Sequence, residues 1–192
     1  MKKVVLASTS IHRKQQLERL NISFVTVSPS INENDFKAKD FGHVQLSREL
    51  AFCKTRNIGP RYNDAIVIGG DTVVSFNKVI LSKPKTKKKA VEQLKILSGR
   101  EHKLITSIVI RENGAEHIHT TIAQMKMREL TEDQISRYIE TDEPFDSCGS
   151  YRLDALGISL FESIDCEDYT AIIGIPLMWT ARMLTKLGVS IP

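Results

Sequence analysis

The sequence predicts an α/β protein, a mixed twisted sheet with flanking helices, and two observations predict it. Strand-like apolar runs alternate along the chain with segments whose apolar residues recur at three- and four-residue spacing, the pattern of a sheet covered by helices. One run, Ala65-Ile66-Val67-Ile68, is apolar at every position, as a strand buried on both faces must be. At 192 residues the chain can bury one substantial core or two small lobes. It reads as a single domain over 1–192.

The elements follow in order. Residues 4–7 form a first strand, and Ser8-Thr9-Ser10 leads into a helix over 12–20 with Leu17 and Leu20 on one face. A second helix over 45–57 places Leu46, Leu50 and Cys53 at helical spacing, with Lys54 at the edge of that stripe. The strand at 65–68 meets Gly69-Gly70, which lets backbone turn or approach a ligand, so Asp71 is expected at a strand end. Residues 87–97 form a helix stopped by Gly99, and 102–111 with 116–127 read as a hairpin around Glu112-Asn113-Gly114. Thr131-Glu132-Asp133-Gln134 has capping-box spacing for a helix to about 141. A strand is expected over 158–164, and Pro176 opens a last helix bearing Leu177, Ala181 and Leu184.

Composition narrows the function classes. With 41% hydrophobic and 26% charged residues, and no apolar run long enough to span a bilayer, a soluble protein without a membrane partner is expected. The apolar start at Val4 ends at Ser8, too soon for a signal peptide. Cys53, Cys148 and Cys166 are odd in number and lack CxxC spacing, which points to a reducing cytoplasm rather than disulfides or zinc. The net charge of +4 owes much to Lys83-Pro84-Lys85-Thr86-Lys87-Lys88-Lys89. That run reads as a solvated segment or as an attractor of small polyanions. No helix-turn-helix, finger or aromatic-basic motif argues for nucleic acid.

Asp71 carries the strongest chemical signal, because a carboxylate at the end of a buried strand is costly unless it binds a cation or accepts hydrogen bonds. Ser8-Thr9-Ser10 at a helix start offers hydroxyls and amides to an anion, and also suits plain capping. Arg13 in the first turn can fork onto a phosphate. Glu33, Lys54 and Lys83 are individually unremarkable. His117 and His119 lack further ligands and read as structural or surface residues, and Cys148 lacks a His-Asn partnership and reads as a small hydrophobe.

Several segments in order resemble the Maf family of nucleotide pyrophosphatases over essentially the whole chain. They are Leu6-Ala7-Ser8-Thr9-Ser10 with Arg13, Glu33, Lys54, Gly70-Asp71-Thr72-Val73-Val74, Lys83-Pro84, Leu97-Ser98-Gly99 with His102, Tyr138 through Glu143-Pro144, and Ile173-Gly174-Ile175-Pro176-Leu177. The resemblance implies a two-lobed, Maf/ITPase-like fold around a deep cleft and a homodimer. It also implies cleavage of nucleoside triphosphates between the α- and β-phosphates with Mg2+ or Mn2+. By motif, Asp71 is the proton acceptor, Ser8, Arg13, Lys54 and Lys83 line the phosphate site, and Glu33 joins Asp71 at the metal. The stretch Cys148-Gly149-Ser150-Tyr151 through Gly157-Ile158-Ser159-Leu160-Phe161-Glu162 looks like the branch acting on 7-methyl-GTP. Of three specificity positions, Asp154 is a carboxylate as in that branch, which carries glutamate there. His12 matches neither branch, and Thr72 is the residue of the dTTP and UTP branch. Two rival readings are a non-enzymatic cell-division regulator and a phosphohydrolase releasing orthophosphate.

Overall fold

A computed structural model describes residues 2–37, 39 and 41–191, Lys37 by its backbone alone, so both end residues of the expected 1–192 domain lie outside the described residues. β1 (Lys3–Ala7) is the expected first strand, and α1 (Ile11–Glu18) begins where the Ser10 side chain accepts a hydrogen bond from the Arg13 N–H. β2 (Phe24–Val27) gave no signal in the sequence because its side chains are at most half-buried. After the short α2 (Asn34–Lys37), α3 (His43–Ile58) buries Leu46, Leu50 and Lys54. β3 (Ala65–Phe76) corrects one expectation: the strand passes through Gly69-Gly70, and Asp71 lies in its interior rather than at its end.

Beyond β3 come β4 (Val79–Leu81), α4 (Lys87–Leu97), β5 (Glu101–Glu112) and β6 (Ala115–Met127). The helix over 87–97 has the expected bounds, started by a Thr86 cap. The β5–β6 hairpin turns on Asn113 and Gly114, both left-handed at φ 49° and 84°, as a two-residue type I′ turn requires. α5 (Glu132–Asp142) carries the capping box, with Thr131 and Gln134 bonding reciprocally. The strand expected over 158–164 is shorter: 156–160 form a 3-10 turn anchored by the Gly157 N–H on Asp142, Ile158 faces solvent, and β7 is Phe161–Asp165. α6 (Leu177–Lys186) follows Pro176 as expected.

Among the described residues seven strands form one sheet in the order β2-β1-β3-β5-β6-β7, with β4 paired to β3. β1 runs parallel to β2 and β3, while β4 and β7 are antiparallel to their partners, so the sheet is mixed. The chain divides into two compact units. The first comprises the chain up to Thr72, Thr106–Thr121 and the chain from Asp168 onward; the second comprises Val73–Ile105 and Ile122–Glu167.

In the first unit, strand alternation sorts the core into two layers. Val4, Leu6, Ile66, Ile68, Ile108 and Ile110 pack with Leu17 of α1 and Leu177 and Leu184 of α6. Val5, Ala7, Ala65 and Val67 pack with Ile58 of α3. In the second unit α4 packs on α5, and His102 of β5 is buried against Tyr151 and Phe161. Its Nε2 lies 3.0 Å from the Tyr151 hydroxyl.

Burial pulls the His102 pKa down from 6.5 to about 4. The neutral ring is what the fold accommodates, so the contribution of His102 is fully present above pH 6.5 and is lost as the pH falls toward 4. Urea unfolding measured from pH 7 to pH 4 should show a loss of roughly 3 kcal/mol from this residue. His102→Gln should remove that component of the pH dependence; an identical profile in the variant would show that His102 does not titrate on unfolding.

Candidate active site

The alternation of β3 places its adjacent polar residues Asp71 and Thr72 on opposite layers. Asp71 continues the face of Val67 and Gly69, toward α3, and Thr72 continues that of Ile68 and Gly70, toward α1. A Cβ at Gly69 would stand 2.7 Å from Thr55 Cγ2 and 3.0 Å from the Ala51 carbonyl oxygen, so only glycine lets α3 lie this close. The close approach brings Lys54 to Asp71, with Nζ 2.6 Å from Oδ1. The same ammonium is 2.9 Å from Oε1 of Glu33. Lys54 and Asp71 are 7% and 6% exposed, whereas the Glu33 side chain is 44% exposed. Burial pushes the Asp71 carboxyl above the usual carboxylate range, with Lys54 and then Arg13 pulling it back and Glu33 adding to the rise.

On the other layer Arg13 is held at two points. Its Nε donates to the Gly174 carbonyl at 3.1 Å and its Nη2 to Thr72 Oγ1 at 3.1 Å. Gly174 has φ 140°, and a Cβ there would lie 3.1 Å from Arg13 Cγ. One turn along α1, Gln16 Nε2 donates to the Thr170 carbonyl at 2.6 Å. The buried Asp168 carboxylate in turn accepts from the Thr170 amide and hydroxyl and from the Met178 N–H, fixing the start of α6. Before α1, buried Ser8 accepts from the Ser10 N–H at 3.1 Å. His12 is half-buried on α1.

Seven of the nine expected site residues therefore fall in the first unit, where the structure joins Lys54 to Asp71 and Glu33, and Arg13 to Thr72. Lys83 and Asp154 belong to the second unit. Lys83 is exposed between β4 and α4, beside Ser82, whose carbonyl accepts from Gln93 Nε2 at 2.8 Å. Asp154 faces Arg152, its Oδ2 3.5 Å from Nη2. His119 stacks on Trp179 at 5.3 Å, and the three cysteines are half-buried. The sequence reading missed Thr106, although a polar Thr106-Ser107 pair inside the apolar run Leu104-Ile105 and Ile108-Val109-Ile110 was a usable signal, and both are fully buried.

A divalent cation fits the donors present. Asp71 and Glu33 aim hard oxygens at one point now held by a single ammonium, and two carboxylates completed by substrate phosphates and water are an ordinary Mg2+ set. Among the described residues no group of three or more His, Cys, Asp or Glu could hold a metal, so the protein would supply only part of the shell.

The fold and these contacts define a mixed α/β protein whose sheet carries a paired-carboxylate, lysine and arginine site. The chain belongs to the Maf family: residues 3–187 match the Maf-like protein family. It is 37% identical to the 7-methyl-GTP pyrophosphatase of Bdellovibrio bacteriovorus over 95% of this chain and 96% of that one. It is 36% identical to the 7-methyl-GTP pyrophosphatase of Pseudomonas savastanoi pv. phaseolicola over the full length of both. A HAM1 protein from Coxiella burnetii shares the fold with a TM-score of 0.51 at 14% identity, covering 97% of this chain and 100% of that one.

Gly69→Ala should force α3 away from β3. Denaturant unfolding should show a loss of about 1–3 kcal/mol, as overpacking does; unchanged stability would mean that α3 does not depend on this contact.

Proposed function

We propose that this protein hydrolyses nucleoside triphosphates to the monophosphate and pyrophosphate, with 7-methyl-GTP its preferred substrate. The observation that carries the reading is the Lys54 ammonium shared by Asp71 and Glu33 in the unit that also holds Arg13. The names of its relatives supply the reaction.

The water oxygen forms a bond to the α-phosphorus, the bond to the bridging oxygen breaks, and pyrophosphate leaves with the electron pair. Asp71 takes the proton of the attacking water, and burial that raises its pKa makes it a better acceptor near neutral pH. Lys54 opposes that rise. Arg13, Lys54, Lys83 and Ser8 neutralise or hydrogen-bond nonbridging oxygens. Asp71 and Glu33 would hold Mg2+ or Mn2+, which when bound polarises phosphate oxygens and lowers the pKa of a bound water. Asp154 accepts from guanine N–H groups and favours a cationic methylated ring. An odd number of cysteines without CxxC spacing supports a reducing, cytoplasmic setting, and the family resemblance supports a homodimer.

The test is incubation with 7-methyl-GTP, UTP and dTTP in the presence of Mg2+, with both products identified. Monophosphate and pyrophosphate are expected; orthophosphate or no turnover would overturn the reading. Asp71→Asn should lower kcat by about 10²- to 10⁴-fold with the fold retained. Asp154→Asn should erode the 7-methyl-GTP to UTP ratio of kcat/KM; a wild type preferring UTP would move the specificity to Thr72.

A further inference from the structure

Thr106 lies on β5, is fully buried, and has two hydroxyl contacts. Its Oγ1 is 2.9 Å from the Ala171 carbonyl oxygen and 3.2 Å from Thr72 Oγ1. Distances alone leave the direction of the threonine pair open, but the two ends of the chain of bonds fix it. A carbonyl only accepts, so the single Thr106 proton goes to Ala171, and Thr106 can only accept from Thr72. Thr72 thereby commits its own proton and offers Arg13 a lone pair, which is what a guanidinium, a pure donor, requires. The relay runs one way: Arg13 to Thr72 to Thr106 to Ala171.

Both anchors of Arg13 end on one stretch of chain, Nε on the Gly174 carbonyl and Nη2, through the two threonines, on Ala171. That stretch is itself pinned by Gln16 and Asp168. We infer that Thr106 is a positioning residue, which through Thr72 fixes the Arg13 guanidinium in the orientation that meets the phosphates. This rests on the reading of Arg13 as a phosphate ligand. Without the Thr106 acceptor, the Thr72 hydroxyl turns to find another, and Nη2 loses a partner of fixed polarity.

The experiment is a double-mutant cycle of Thr106→Val and Thr72→Val, read in kcat/KM for 7-methyl-GTP and, without substrate, in the NMR signals of the Arg13 guanidinium. A guanidinium bonded at Nε and Nη2 rotates slowly and shows separate Nη protons at low temperature. Thr106→Val should lower kcat/KM roughly tenfold in the wild-type background and less than about threefold in Thr72→Val, since the second change removes a link already broken. It should also average the Arg13 signals, while Thr106→Ser, which keeps the hydroxyl, should restore both readouts. Should Thr106→Val not fold, Thr72→Val alone must average the same signals, because it cuts the relay and leaves the Thr106–Ala171 bond in place. Additive losses, or Arg13 signals unchanged in either valine variant, would overturn the inference. A wild type that does not hydrolyse triphosphates would overturn the proposed function instead, and the NMR readout would still decide the role of Thr106.

Discussion

Lys54 carries its charge to a place that is 7% exposed, and two carboxylates meet it there. A buried ammonium without partners would shed its proton or destabilise the fold by several kcal/mol, so this contact sets conditions on its whole surroundings. α3 must lie against β3, which the missing side chain of Gly69 permits. Asp71 must face α3, which the strand's alternation provides. Glu33, on the turn before α2, must come from outside as the second carboxylate and remain half-exposed.

The electrostatic balance at Asp71 is a contest between burial and attraction. At about 3 Å and an effective dielectric of about 20, an ion pair is worth roughly 5 kcal/mol before desolvation is counted. Desolvation prevails nonetheless, leaving the carboxyl above its usual range despite Lys54 and Arg13. A raised carboxyl of this kind is stabilised in its protonated form. Asp71 therefore contributes most to stability below the usual carboxylate pKa and loses that contribution as the pH rises through its raised value. Strain of this sign is expected where a group is kept for chemistry rather than for the fold.

Much of this was legible in the chain. The alternation of strand and helix signals gave the α/β class, and the Thr131 capping box, the Asn113-Gly114 turn and the Pro176 helix start stand where local chemistry puts them. The glycines before Asp71 were read as a place where backbone turns or approaches a ligand at the end of a strand, whereas the strand runs on through them. What approaches is α3, a tertiary partner that no local pattern reveals. β2 was invisible because a half-exposed edge strand has no strong alternation, and 158–164 misled because the apolar Ile158 faces solvent. At the site, Asp71 was evident as a carboxylate in an apolar run. The pairing of Lys54 with Glu33 and the relay through Thr106 join residues far apart in sequence, and only the fold brings them together.

Lys54 is the largest charge opposing the burial that raises the Asp71 carboxyl. The direct measurement is a carbon-13 NMR titration of the Asp71 carboxyl, without divalent cations, in wild type and in Lys54→Met. A pKa above the ordinary value of about 3.9 is expected in the wild type and a further rise in the variant, because the largest opposing charge is gone. An ordinary pKa in the wild type, or one that does not move when Lys54 is replaced, would contradict it.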